Sequence, residues 1–200
     1  MNQLNFVKKP IIIGNRVILR PFESQDIEPM ITILNEPELK KLTGSVTNDR
    51  DANIEMDEDE RKRVEDWYKS RNDQTDRLDL AIVMKETNQI IGELVFNEYD
   101  ECTNNVNFRV LISQSYRNRG LGSEAIQLFV QYGFEELCLH KISLEVFSFN
   151  PRAERVYTKI GFKLEGIKRE DFNYNDEYID TKIYGLLRSE YNQIIREMKI

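Results

Sequence analysis

Residues 114–125 read QSYRNRGLGSEA, and this stretch decides how the chain is to be understood. Arg117 and Arg119 lead into Gly120-Leu121-Gly122, and a helical pattern opens directly behind them. A helix amino terminus attracts anions because its first N–H groups have no intrahelical partner and the dipole is positive there. Glycine lets a phosphate approach that backbone closely. The stretch therefore reads as a phosphate loop, and its neighbours must say which one. The hydrolase P-loop requires two glycines four residues apart and then lysine with serine or threonine, which is not the pattern here. Gly120 to Ala125 does match the dinucleotide pattern G-x-G-x-x-A, with Glu145 roughly twenty residues further on. Two features weigh against that match. The residues SQSYRNR separate Ile112, the end of the preceding apolar run, from the first glycine. The runs before the loop are also spaced as hairpins, whereas a dinucleotide fold needs parallel crossovers.

Working outward, Ile126, Phe129, Val130, Phe134 and Leu137 fall on one face of a helix from about Gly122 to Leu137. Upstream lie three strand-like runs, at 79–85, 89–97 and 104–112. Their short polar connectors ETN and EYDECT suit an antiparallel meander. Downstream, KISLEVF (141–147) reads as a strand. NPRAERVYTKIGF then carries a helix marked at both ends, with Asn150 as cap, Pro151 in the first turn and Gly161 at the close. Two further strands flank the turn NYND, and the tail over 188–200 has the pattern of a short closing helix.

Nearer the amino terminus, RVILRP gives a strand at 16–20. Ile27, Met30, Ile31 and Leu34 mark a helix over 26–35 that Pro37 closes. A second helix is expected over 57–70, with Val64, Trp67 and Tyr68 on its apolar face. The elements add up to a single α/β domain over 1–200 with its core at about 16–187. Its centre is a mixed, mostly antiparallel sheet of about seven strands with helices on both faces.

Composition narrows the function. A net charge of −7 argues against nucleic acid as a partner. No apolar run is long enough to span a membrane, and Ile11–Ile13 is too short for a signal peptide, so a cytoplasmic protein is expected. Cys102, Cys138 and the single His140 show no metal spacing, and no metal is expected. His140 reads as a structural residue where a helix meets the strand at 141. Seven acids crowd the segment 49–60. Helix capping accounts for them, with Asp57 and Glu60 at capping-box spacing, and a cation-attracting substrate rim is compatible with that.

Arg117-Asn118-Arg119-Gly120-Leu121-Gly122 resembles the Q/R-x-x-G-x-G/A pyrophosphate loop of the GNAT family of N-acetyltransferases. NPRAERVYTKIGF resembles the later signature of that family through Asn150, Ala153, Tyr157, Gly161 and Phe162. The likeness extends from about Arg16 to Leu187, and the segment 136–171 is similar to spermidine N-acetyltransferases and to enzymes that acetylate ribosomal protein amino termini. The resemblance implies an acetyl-CoA-dependent transfer to a primary amine within a ternary complex, the acceptor being a small molecule or a protein amino terminus. It assigns the diphosphate of coenzyme A to Arg117, Asn118, Arg119, Gly120, Leu121, Gly122 and Ser123. The main chain of Val110, Leu111 and Ile112 would hold the pantetheine arm with Asn150, and Arg152 would add a coenzyme contact.

Tyr157 takes the place of the general acid for the departing thiolate, a fitting task for a phenol titrating near 10. The base is less clear. Polyamine-acetylating relatives carry a glutamate just before the Phe-x-hydrophobic segment, where this chain has Asn107, which weakens the polyamine reading. Glu93, the lone charge in IIGELVF, is the remaining candidate, with ordered water as the alternative. A coenzyme-A-binding sensor or scaffold without transfer is the competing class. Oligomeric state stays open, a homodimer included.

Overall fold

The structure is a computed structural model that describes residue 4 and residues 6–197. In chain order, β1 (Ile12–Ile13) and β2 (Val17–Arg20) are followed by α1 (Ile27–Leu34), α2 (Pro37–Leu42), α3 (Asp49–Ala52) and α4 (Glu58–Ser70). Then come β3 (Leu78–Met84), β4 (Ile90–Asp100), β5 (Asn105–Ile112), α5 (Leu121–Glu135) and β6 (Lys141–Phe147). The chain continues through α6 (Pro151–Ile160), β7 (Lys163–Tyr174), β8 (Glu177–Leu187) and α7 (Arg188–Glu197). The expected closing helix is therefore present, and residues 198–200 of that tail lie outside the described residues.

One sheet of eight strands runs in the order β1-β2-β3-β4-β5-β6-β8-β7. The strand beyond the expected seven is β1, whose two residues are too short to show alternation. Every pairing is antiparallel except β5 with β6, which the α5 crossover joins in parallel. A single parallel pair is not the crossover series of a dinucleotide fold, and that rival reading of the glycine loop falls here.

Strand alternation divides the core into two layers. Leu78, Leu80 and Ile82 of β3 pack with Phe96, Phe129 and Phe134 on the face covered by α5, α6 and α7. Ala81 and Val83 point the other way and pack with Ile27, Met30, Ile31 and Tyr68 under α1 and α4. Two short helices were not visible in the sequence. Pro37 ends α1 but occupies the first turn of α2, where its missing N–H costs nothing. Asn48 accepts from the Asp51 N–H and caps the four-residue α3. Asp57 caps α4 in the expected way, accepting from the Glu60 N–H at 2.8 Å. Trp67, expected on the apolar face of α4, is 47% exposed and instead has the Arg71 guanidinium stacked over its ring at 3.5 Å. His140 sits in the turn between α5 and β6, as its structural reading required.

Candidate active site

The site begins where β5 and β6 part. They pair only from Asn105↔Lys141 to Asn107↔Ser143. Beyond Asn107, β5 keeps its ladder to β4 as far as Ile112 but loses the one to β6. The opening is a cleft of about 750 Å³, lined by Phe108 to Ile112 on one side and by Asn150, Ala153 and Tyr157 on the other. Gly120 and Gly122 close its end. Main-chain groups along one edge of β5 thus face a cavity in place of a neighbouring strand.

The glycine loop is built to leave a helix end open. Asn118 (φ 59°) and Gly120 (φ 76°) are both left-handed, and Gly120 stands at the cap position of α5. A side-chain cap would occupy the first N–H groups of this 15-residue helix, and none is present. Glu124 anchors the first turn from behind, accepting from the Arg16 N–H at 2.8 Å, Arg16 Nε at 3.1 Å and the Val17 N–H at 3.3 Å. Arg16 Nη1 also donates to the Arg119 carbonyl at 2.9 Å. The cradle therefore has a backbone lining and a carboxylate brace on its far side, a fit for a bound diphosphate.

The two arginines of the loop differ. Arg117 is folded inward, its side chain 7% exposed, with Nε donating to the Ile112 carbonyl at 2.8 Å and Nη1 paired with Glu38 at 2.5 Å. Its guanidinium, expected to add charge for a phosphate, is already engaged. Arg152 approaches the same Glu38 at 3.8 Å. Arg119 lies over the Tyr116 ring at 5.7 Å and forms no salt bridge among the described residues. Glu36 completes the brace: it accepts from Ser113 Oγ at 2.5 Å and from the Gln114 N–H at 2.7 Å, tying the start of α2 to the end of β5. Glu36, Glu38 and Glu124 were missed by the sequence reading. Each lies more than 70 residues from its partner, and no local pattern announces such a pair.

Asn150 caps α6 by accepting from the Ala153 N–H at 3.2 Å. Tyr157, one turn further, is 7% exposed and packed edge-on to Phe108 and Phe162. Burial pushes its phenol above the ordinary value, which keeps the proton on the oxygen. Among the described residues nothing hydrogen-bonds to that hydroxyl, which borders the cleft.

A second cavity, of about 420 Å³, lies on the α1–α4 face and shares Thr43, Arg109, Val110 and Leu111 with the lining of the first. Glu93 lines it, and Tyr68 Oη donates to Glu93 Oε2 at 3.0 Å. Desolvation, followed by the nearby Asp79, raises the Glu93 carboxyl to about 7, against the smaller opposing effect of the Tyr68 hydrogen bond. Asp79 is buried and held by Arg77 through contacts of 2.7 and 2.6 Å. Of the seven acids between 49 and 60, only Glu60 lines either cavity; Asp49, Asp51 and Asp57 are taken up by capping and loop contacts. Asn107 donates to Asn97 Oδ1 at 2.9 Å and offers no base.

Residues 16–163 match the family described as an acetyltransferase (GNAT) domain. The chain belongs to the GNAT acetyltransferase family. Relatives agree along nearly the whole length. The N-acetyltransferase YnaD of Bacillus subtilis is 26% identical over 183 residues, which cover 90% of this chain and 99% of YnaD. The spermidine N(1)-acetyltransferase of Escherichia coli is 26% identical over 178 residues, 89% of each chain. The fold of the spermidine N-acetyltransferase of Vibrio cholerae, solved with CoA and spermine, superposes with a TM-score of 0.76 at 24% identity, covering 90% of this chain and 99% of that one. This acetyltransferase takes its acyl group from acetyl-CoA and delivers it to an amine. Among the described residues no helix is long and apolar enough to cross a membrane, and no cluster of His, Cys, Asp and Glu could hold a metal ion.

Proposed function

We propose that this acetyltransferase moves the acetyl group directly from coenzyme to acceptor in a ternary complex, with Glu93 as base and Tyr157 as acid. The observation that carries the reading is that two cavities share the wall Arg109-Val110-Leu111, with a carboxyl titrating near neutrality in one and, bordering the other, a phenol without a hydrogen bond among the described residues. The thioester supplies an activated acyl carbon: its bond to the acceptor nitrogen forms as its bond to sulfur breaks.

The chain must then move two protons. An acceptor ammonium titrating near 10 gives one up to Glu93, whose carboxylate is half formed near pH 7. The leaving sulfur takes the other from Tyr157 Oη, and the phenol is restored by the second proton that the nitrogen sheds as the amide forms. Glu93 beside Leu111 and Tyr157 beside Phe108 flank the same short length of β5. The first-turn N–H groups of α5, from Leu121 to Ser123, together with the left-handed Asn118 and Gly120, hold the diphosphate. Arg119 adds charge there, while Arg117 positions the loop through Glu38 and the Ile112 carbonyl. Main-chain groups of Val110, Leu111 and Ile112, with Asn150, align the pantetheine arm. The exposed thiols Cys102 and Cys138 suit a cytoplasmic location, which is part of this proposal.

Initial rates of CoA thiol release test the order of events. Varying acetyl-CoA against an amine should give intersecting double-reciprocal lines. Parallel lines with an isolable acetylated enzyme would replace direct transfer by a ping-pong route.

A further inference from the structure

The acceptor cavity is charged in an unexpected sense. Three arginines line it, Arg63 from α4, Arg77 from the start of β3 and Arg109 from β5, against Glu60 and Glu93. Arg77 is neutralised by its paired contacts with Asp79. Arg63 and Arg109 are exposed and have no salt bridge within 4 Å among the described residues. Asp59 and Asp66 lie four and three residues from Arg63 on the same helix, at spacings that can pair. On the same helix Arg61 pairs with Glu28 and Glu65 and Lys69 with Glu65 and Asp66, while Lys62, like Arg63, has no salt bridge among the described residues. Two guanidinium groups on different elements thus line one cavity with no ion pair within 4 Å among the described residues. The acids of the lining are Glu93, whose charged form Arg109 favours, and Glu60, three residues before Arg63.

We propose that the acceptor is a small amine that also carries an anionic group, a carboxylate or a phosphate, and that Arg63 and Arg109 bind that group while the amine faces Glu93. This rests on the transfer reading above and narrows its acceptor. A guanidinium presents a planar fork that fits either anion in a two-bond contact. A polyamine brings further ammonium groups that need carboxylates to replace their water. Here it would meet Arg63 and Arg109, against Glu60 and Glu93 as the acids of the lining. Both arginines and the base belong to a single cavity of about 420 Å³, within the reach of one short molecule.

Matched short-chain triplets test this: an ω-amino acid, its amide and the diamine of equal length, with spermidine and an aminoalkyl phosphate alongside. Thiol release gives kcat/KM for each. The anionic member should exceed the diamine by at least tenfold, and whichever of carboxylate and phosphate is faster names the natural anion. In the double variant Arg63→Gln, Arg109→Gln that ratio should fall to within about twofold of unity, whereas Arg63→Lys, Arg109→Lys, which keep the charge and lose the two-bond fork, should retain only part of it. Spermidine or diamine as the best acceptor, or equal rates for acid and amide, overturns the inference.

Thermal protection of the CoA-bound enzyme is read on the same panel. Anionic amines should raise the melting temperature and diamines should not. The absence of that difference overturns the inference even where thiol is released. Protection without thiol release from any amine would leave the anion site standing and sink the transfer reading alone.

Discussion

Tyr68 Oη donates to Glu93 Oε2 across 3.0 Å, joining the last turns of α4 to the middle of β4 beside the smaller cavity. The bond fixes one carboxylate oxygen and favours its charged form, yet burial and Asp79 outweigh it. The result is a carboxyl balanced near 7 beside a cavity.

The pH dependence follows from that balance. Below about pH 7 Glu93 is protonated and cannot accept from an ammonium, so kcat/KM should fall about tenfold per pH unit on the acid side. Asp79→Asn removes a negative neighbour and leaves Arg77 unpaired. Both effects favour the Glu93 carboxylate, so the acid limb should move to lower pH. A limb that stays in place in Asp79→Asn would separate it from Glu93.

Stability gives an independent reading of the same group. The folded-state value of about 7 lies above the ordinary 4.5, so the folded chain holds a proton that the unfolded chain releases between those values. Stability from Glu93 is thus present below pH 4.5 and is lost as pH rises toward 7. Glu93→Gln should be more stable than the parent at pH 8, by roughly 3 kcal/mol, and nearly equal to it at pH 4. Urea unfolding at the two pH values checks this, while kcat at pH 7 should drop at least tenfold.

Tyr157→Phe isolates the acid. The ring packs edge-on to Phe108 and Phe162, and those contacts survive the substitution, while the hydroxyl gives up no hydrogen bond within the described residues. Melting temperature and CoA affinity should therefore stay near the parent values, and kcat should fall at least tenfold. An unchanged kcat would remove Tyr157 from the mechanism.

The sequence carried the donor half of the site because that half is local. A left-handed glycine ahead of α5 and the Asn150 to Gly161 helix are each set by neighbours within a dozen residues, and both stand where their patterns put them. The meander was legible for the same reason, through alternation and short turns. The cavity proposed for the acceptor depends on tertiary contacts: Arg63, Tyr68, Glu93 and Arg109 come from three elements, and only Glu93 stood out, as a charge within an apolar run. The elements α2 and α3 were hidden by their length, six and four residues, below what periodicity can mark. Arg117 shows the limit most plainly, since its residue type suggested a phosphate partner, whereas Glu38, 79 residues away, holds its guanidinium.

Gly92 marks a place where two strands are too close for any side chain. Pairing slips between Ile82↔Gly92 and Val83↔Ile90, a bulge in β4, and a Cβ on Gly92 would lie 2.1 Å from the Leu111 carbonyl oxygen. That obstacle is backbone and cannot rotate away. Gly92→Ala should push β4 from β5 where Leu111 borders both cavities, destabilising the chain by about 2–4 kcal/mol and raising KM for acetyl-CoA and amine together. Unfolding curves and initial rates give both numbers. A rise in one KM alone would show that the two cavities do not share this wall.

The paired loop arginines offer a sharper separation of structure from charge. Arg117→Ala removes the bond to the Ile112 carbonyl and leaves Glu38 with only the distant Arg152, so the loop keeps only the Glu36 bonds to Ser113 and Gln114 as its attachment to the start of α2. It should lower stability by about 1–3 kcal/mol, a melting shift of several degrees for a chain of this length, and weaken CoA binding through the loop. Arg119→Ala touches no salt bridge of the described residues and should leave the melting temperature in place. Its effect should instead be electrostatic: weaker CoA binding at low salt that converges on the parent as ionic strength rises. Calorimetric titration of CoA at two salt concentrations distinguishes them, because the Arg117→Ala deficit should persist at high salt. If both deficits vanished together, Arg117 would be acting as a phosphate ligand despite its pairing with Glu38.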